Sequence, residues 1–128
     1  MLDHLGISVS DLARSRAFYA SALAPLGYTL QRELSDDKTG ERVAVGFGMP
    51  GKAAFWIVPG TPASSMHLAF AAINRAAVDA FHPVALAAGG RDNGAPGERP
   101  HYHADYYGAF VLDPDGYNIE AVCHAPGG

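Results

Sequence analysis

The chain has 128 residues, 48% of them apolar, and a net charge of −4 at neutral pH from 13 acidic and 9 basic side chains. That is enough apolar material for one compact unit or two small halves sharing a core. No run approaches the ~20 apolar residues that cross a bilayer, and the missing basic stripe argues against nucleic acid as a partner. A lone cysteine, Cys123, excludes an internal disulfide and reads as a small apolar strand residue. With no basic-then-apolar N-terminal segment, a cytoplasmic protein is expected.

Leu2 to Val9 alternates, with Leu5, Ile7 and Val9 on one face and His4, Gly6 and Ser8 on the other, which predicts a half-buried strand. Ser10 or Asp11 can cap a following helix. Leu12, Tyr19, Leu23 and Leu26 then recur at helical spacing, and Gly27 ends it. Tyr28 to Leu34, Val43 to Met49 and Ala53 to Val58 read as strands, separated by a polar turn at Asp36–Gly40 and a turn at Pro50-Gly51. Trp56 is expected in the core on the helix side.

The second half repeats the first. Met66 to Ala72 is a strand whose His67, Ala69 and Ala71 share a face, and Asn74 caps a helix running to about Ala88. Pro83 inside that helix costs about 3 kcal/mol, so a kink or a shortened helix is expected. Arg91 to Asp105 reads as a loop with at most one short strand. Tyr106 to Leu112 and Tyr117 to Cys123 form a hairpin about Asp113-Pro114-Asp115-Gly116. The repeat is visible residue by residue: His4–Gly27 laid on His67–Gly90 without a gap gives 9 identities in 24, where chance gives roughly two. Two β-α-β-β-β modules follow, residues 1–60 and 61–128, joined at Pro59–Ser65.

Strand parity places His4, His67 and Glu120 on the faces turned away from the helices. Each histidine alone is explained as an ordinary polar residue on a sheet face. Together they are repeat-equivalent, and an unpaired glutamate on a concave sheet is unfavourable. Two imidazoles and one carboxylate suit a divalent Zn, Ni, Mn or Fe ion and leave coordination positions open for substrate. The counterpart of Glu120 in the first module is Ile57 by the repeat offset, or Phe55 if the turn glycines are aligned. Both are apolar, so a fourth carboxylate is missing, and this wall is expected to line a substrate pocket with Phe110. A three-residue hairpin loop would put Phe110 opposite Glu120 and Tyr106 on the same face; a loop of two or four would put Tyr107 there. His103 can act as a general base near neutral pH, and Arg91 and Arg99 can hold an anionic substrate group.

The doubled module, the strand-opening Asp3-His4-Leu5-Gly6-Ile7 and Met66-His67-Leu68-Ala69-Phe70, and the closing Asp113–Val122 segment resemble the vicinal-oxygen-chelate superfamily. It includes glyoxalase I, extradiol dioxygenases, fosfomycin-resistance thiol transferases, methylmalonyl-CoA epimerase and the metal-free bleomycin-resistance proteins. The resemblance implies an α+β fold in which the two modules form a curled, mostly antiparallel sheet cup with helices outside. It also implies a homodimer and a metal on His4, His67 and Glu120. Glyoxalase I carries a fourth carboxylate where this chain has Phe55 or Ile57. The extradiol pattern fits as His103, five residues, Ala109, Phe110, two residues, Asp113–Gly116, three residues, Glu120, but with Phe110 in place of the pattern's tyrosine.

The expected activity is a metal-dependent lyase or isomerase acting on a small molecule that chelates through adjacent oxygens, with His103 or a nearby tyrosine moving the proton. The alternatives are a non-catalytic binding or resistance protein and an iron-dependent dioxygenase. Whether the metal site forms within one chain or across subunits stays open.

Overall fold

A computed structural model describes residues 1–126. The first module runs β1 (Leu5–Val9), α1 (Leu12–Ala22), a 3-10 turn (Ala24–Leu26), β2 (Thr29–Ser35), β3 (Arg42–Gly48) and β4 (Phe55–Pro59). The second runs β5 (His67–Ala71), α2 (Arg75–Ala87), β6 (Arg91–Glu98), β7 (Tyr107–Leu112) and β8 (Asn118–Cys123). Each module makes an open four-stranded sheet, β1-β4-β3-β2 and β5-β8-β7-β6. The β1–β4 and β5–β8 pairs are parallel and the others antiparallel. Among the described residues no helix is long and apolar enough to cross a membrane.

Local chemistry sets the helix ends. Asp11 caps α1 by accepting from the backbone N–H of Arg14 at 3.0 Å, and Asn74 caps α2 by accepting from that of Ala77 at 2.9 Å. Gly27 closes the 3-10 turn at φ 86°, where a side chain would be strained. The helix α2 runs through Pro83 to Ala87, so the expected shortening does not occur. Val78, Phe81 and Ala85 are fully buried on either side of the proline, and that packing outweighs one missing hydrogen bond.

One apolar core serves both modules. Phe18, Tyr19 and Leu23 of the first half and Phe81, Val111 and Ile119 of the second belong to the same cluster, and α1 packs against α2. Polar clasps tie the halves. Tyr19 donates its hydroxyl to the buried Asp113, and Asp115 accepts from the backbone N–H of Ser10 at 3.1 Å. The exposed edges are capped in a symmetric way. Tyr28 donates to the carbonyl of Ala71 at 2.5 Å, and Tyr117 donates to the carbonyl of Ser8, the repeat-equivalent residue, at 2.7 Å.

Two features differ from expectation. Arg91–Glu98 is an eight-residue edge strand, β6, rather than mostly loop. Its register breaks at Gly94 (φ 147°) and again before Gly97, and these irregularities accommodate Pro96 at a sheet edge. The hairpin turn has three loop residues, because Asp113 N–H bonds the carbonyl of Tyr117 at 2.9 Å. Asp113 shapes that turn with its side chain, accepting from the backbone N–H of Asp115 at 2.8 Å and of Tyr117 at 3.0 Å.

Candidate functional site

The three-residue turn fixes which side chains of β7 and β8 meet. Phe110 pairs with Glu120, and Ala69 of β5 flanks Glu120 on the other side. His67 opens β5 beside Asn118. Thus His67, Phe110 and Glu120 share the face that α2 leaves open, and His67 stacks on the Phe110 ring at 6.2 Å. Glu120 is only 1% exposed, a charge-bearing group sunk into the floor. Its Oε1 lies 2.9 Å from His67 Nε2, and its Oε2 accepts the hydroxyl of Tyr106. Gly108 makes this possible: a Cβ there would sit 3.3 Å from Oε2 and from the Tyr106 ring.

The hydrogen bonds at His67 require either a proton or a cation between its ring and Glu120. Its Nδ1 lies 3.2 Å from the carbonyl oxygen of Asn118, which only an N–H at Nδ1 satisfies. Nε2 then presents a lone pair to a carboxylate oxygen 2.9 Å away. Two lone pairs repel at that distance, so the pair is closed by a proton on Nε2 or by a cation that both atoms ligate. An imidazole nitrogen and a carboxylate oxygen are a donor set that fits Zn, Ni, Mn or Fe. Burial, then the Glu120 carboxylate, hold the Tyr106 hydroxyl well above its ordinary pKa, so it remains a donor through the physiological range.

The other residues singled out from the sequence divide. Arg99 lies on this face, its guanidinium 5.5 Å from the centre of the Phe110 ring. His103 is exposed, with its ring 5.0 Å from Tyr106 and 4.9 Å from His124, a neighbour the sequence did not suggest. Tyr107 is not on this face. It points to α2, donating to Asp79 at 2.5 Å under the Arg75 guanidinium. Arg91 sits at the far end, opposite Leu112.

The first module presents a separate face. His4 immediately precedes β1, and its Nδ1 lies 2.7 Å from Asp3, which also binds Lys52 Nζ at 2.8 Å. Lys52 and then His4 hold the Asp3 carboxyl down to about 2. His4 lines a concavity of about 630 Å³ with Gly6, Arg32, Lys52, Trp56 and Val58, all from the first module. Among the described residues no three His, Cys, Asp or Glu side chains gather as a metal site. Within one chain His4 therefore does not join His67 and Glu120. The helix-to-helix packing of the modules leaves their open faces apart.

The expected pocket wall divides. Phe55 and Ile57, 5% and 0% exposed, belong to the helix-side core and not to the His4 face; Ile57 is sealed there, while Phe55 lines an apolar concavity of about 310 Å³ with Leu5, Tyr28, Leu68 and Phe70. Phe55 packs edge-on to Tyr19 and Phe70. Trp56, expected in that core, lines the His4 concavity instead. It pairs with Gly6 as Glu120 pairs with Ala69, so Trp56 is the repeat counterpart of Glu120. This register falls between the two alternatives, one residue from Phe55 and one from Ile57. Placing β4 parallel to β1 by its hydrophobic alternation was the signal that would have found it.

Residues 1–121 match the family described as the Glyoxalase/Bleomycin resistance protein/Dioxygenase superfamily. Among solved structures, a glyoxalase/bleomycin resistance protein from Albidiferax ferrireducens is 30% identical, with a TM-score of 0.75 over 96% of this chain and 98% of that one. A glyoxalase/bleomycin resistance protein/dioxygenase family enzyme from Burkholderia phytofirmans is 23% identical, with a TM-score of 0.70 over 96% and 98%. Glyoxalase I from Zea mays shares the fold at 21% identity and a TM-score of 0.70; 95% of this chain is covered but only 45% of the maize chain. No curated protein matches the sequence. The doubled module and its family match together place this chain in the Glyoxalase/Bleomycin resistance protein/Dioxygenase superfamily.

Proposed function

We propose that this protein is a metal-dependent enzyme of the lyase or isomerase class that acts on a small substrate held through two adjacent oxygens. The observation that carries this is the buried Glu120 carboxylate facing His67 Nε2 at 2.9 Å, with Nδ1 engaged elsewhere. His67 and Glu120 would hold a divalent ion, and His4 would complete the set from a second copy of the chain. A twofold homodimer can set the His4 face of one copy against the Glu120 face of the other, so each dimer would contain two sites. The ion, Zn, Ni, Mn or Fe, supplies Lewis acidity toward oxygen-centred negative charge.

The chain's own residues do the rest. Two neutral imidazoles and one carboxylate leave a divalent site with a net charge of about +1, which favours an oxyanion. Tyr106 keeps its proton on the hydroxyl and fixes the orientation of Glu120. His103, beside Tyr106, moves the substrate proton. Arg99 holds an anionic group over Phe110, and Arg91 guides it from the far rim. The reaction takes place in the cytoplasm, where Cys123 stays reduced and buried.

A second reading, a binding protein without chemistry, is favoured by one observation: Trp56 stands where a fourth carboxylate would complete the ligand set. An iron-dependent dioxygenase is the weaker alternative, since Phe110 offers no phenol. Metal analysis of protein purified without chelator separates the readings. The enzyme predicts about one divalent ion per chain in a dimer, lost in His4→Ala, His67→Ala and Glu120→Ala. A metal-free dimer that still binds small ligands at micromolar levels overturns it in favour of the binder.

A further inference from the structure

The first-module face carries a recognition device that the metal reading does not use. Arg32, Gly46, Trp56 and Gly6 lie in one cross-strand row: Arg32 pairs with Gly46, Gly46 with Trp56, and Trp56 with Gly6. A Cβ at Gly46 would sit 3.0 Å from the Cδ2 and Cε2 atoms of the indole, so the missing side chain is what lets Trp56 lie down across its neighbour strand toward Arg32. On the other flank, a Cβ at Gly6 would meet nothing within 4 Å, which leaves open floor beside the ring. The half-buried indole thus presents a flat surface to a concavity of about 630 Å³, within the usual size range of small-molecule sites, about 300–1,000 Å³.

The charges in that concavity are not equivalent. Lys52 is held by Asp3 at 2.8 Å, and His4 bonds the same carboxylate. Arg32 makes no hydrogen bond or ion pair among the described residues, although it lines the same space. A flat aromatic surface beside a free guanidinium is complementary to a planar ring that bears a carboxylate: the ring stacks on the indole and the guanidinium takes both carboxylate oxygens. The second module repeats the theme, with Arg99 over Phe110 and glycines at 94 and 97 clearing space for the guanidinium.

We propose that Trp56 and Arg32 form a specificity subsite for planar aromatic carboxylates, the indole stacking on the ring and the guanidinium binding the carboxylate. This rests on reading the open faces as the walls of a substrate cup. It deepens that reading by naming the substrate class.

Trp56 is the only tryptophan, so its emission reports this subsite alone. The intact protein is titrated with benzoate, benzamide and cyclohexanecarboxylate, with and without chelator. Benzoate is expected to change Trp56 emission saturably, with or without metal. Benzamide, which lacks the charge, and cyclohexanecarboxylate, which cannot stack, should each bind at least about tenfold more weakly. Arg32→Ala, at an exposed position, should weaken benzoate by a similar factor, and Arg32→Lys should recover only part. Flat emission with benzoate, or an Arg32→Ala protein that titrates like the wild type, overturns the subsite. The two proposals fail separately: a benzoate response in protein that never holds metal sinks only the metal reading, and a full metal complement with silent Trp56 sinks only the subsite.

Discussion

Trp56 and Glu120 occupy the same place in the two sheets. Each sits on the last strand of its module, in register with the third residue of a His-Leu-Gly or His-Leu-Ala opening, and on the face the helix leaves open. One module therefore offers a carboxylate where the other offers an indole. Gly46 beside Trp56 gives the larger ring its room.

That equivalence predicts the effect of Trp56→Glu. The new carboxylate would start from the backbone position that carries Glu120 in the other half, and would supply a fourth ligand. Zinc affinity, measured by competition with a chromophoric chelator, is expected to rise by about tenfold or more. Unchanged affinity would mean that the His4 face does not help build the metal site.

Tyr106 is predicted to position Glu120 rather than ligate metal. Tyr106→Phe removes the hydroxyl that Oε2 accepts while keeping the ring against Gly108. Loss of such an outer partner lowers metal affinity by about 10–100-fold, with the stoichiometry retained. The same chelator competition reads the affinity, and elemental analysis at saturating metal reads the stoichiometry. Loss of stoichiometric binding would instead make Tyr106 a ligand.

Asp113 ties the hairpin turn to α1. It accepts from Tyr19 and from two backbone N–H groups. Asp113→Ala would orphan the fully buried Tyr19 hydroxyl and unfix the turn, a loss of about 2–3 kcal/mol by urea denaturation. Asp113→Asn keeps the acceptor and should cost less. Burial raises the Asp113 carboxyl above its usual 3.8. The folded state thus holds this proton more tightly than the unfolded one. Its contribution to stability is present at acid pH and declines as pH rises through the raised value, and Asp113→Asn should remove that decline.

Glu33 titrates in the opposite sense. The Arg16 guanidinium, at 2.5 Å, and then Arg42, at 2.8 Å, hold its carboxyl below 4.5. Its stabilising contribution is complete above the usual glutamate value and is lost as pH falls through the depressed one. An exposed pair of this kind is worth at most about 1 kcal/mol and is screened by salt. Glu33→Gln should flatten the acid limb of the stability curve at low ionic strength and change little at high salt.

Much of this was legible along the chain. The His-Leu openings, the glycines that end both helical stretches and the Asp113–Gly116 turn declared two copies of one module, because repeat identity and alternation are local signals. Glu120 and His67 could be put on one face by counting along strands, whereas Phe110 joins them only because the hairpin loop has three residues. Other features were not countable. Pro96 and two glycines, Gly94 and Gly97, made β6 look like a loop, since an edge strand with bulges tolerates what a central strand does not. A single residue of register in β4 exchanged Trp56 with Phe55 and Ile57.

The amino-acid order by itself determined the doubled fold, the order of its elements and the pairing of an imidazole with a carboxylate in the second half. Tertiary structure alone decided that Tyr106 and not Tyr107 reaches Glu120, that an indole faces the first concavity, and that His4 stands apart from its repeat mate within the chain. The reason is physical. Periodicity assigns residues to faces, but which faces meet depends on how α1 and α2 bury their shared apolar surface, and that choice is made between segments far apart in the sequence.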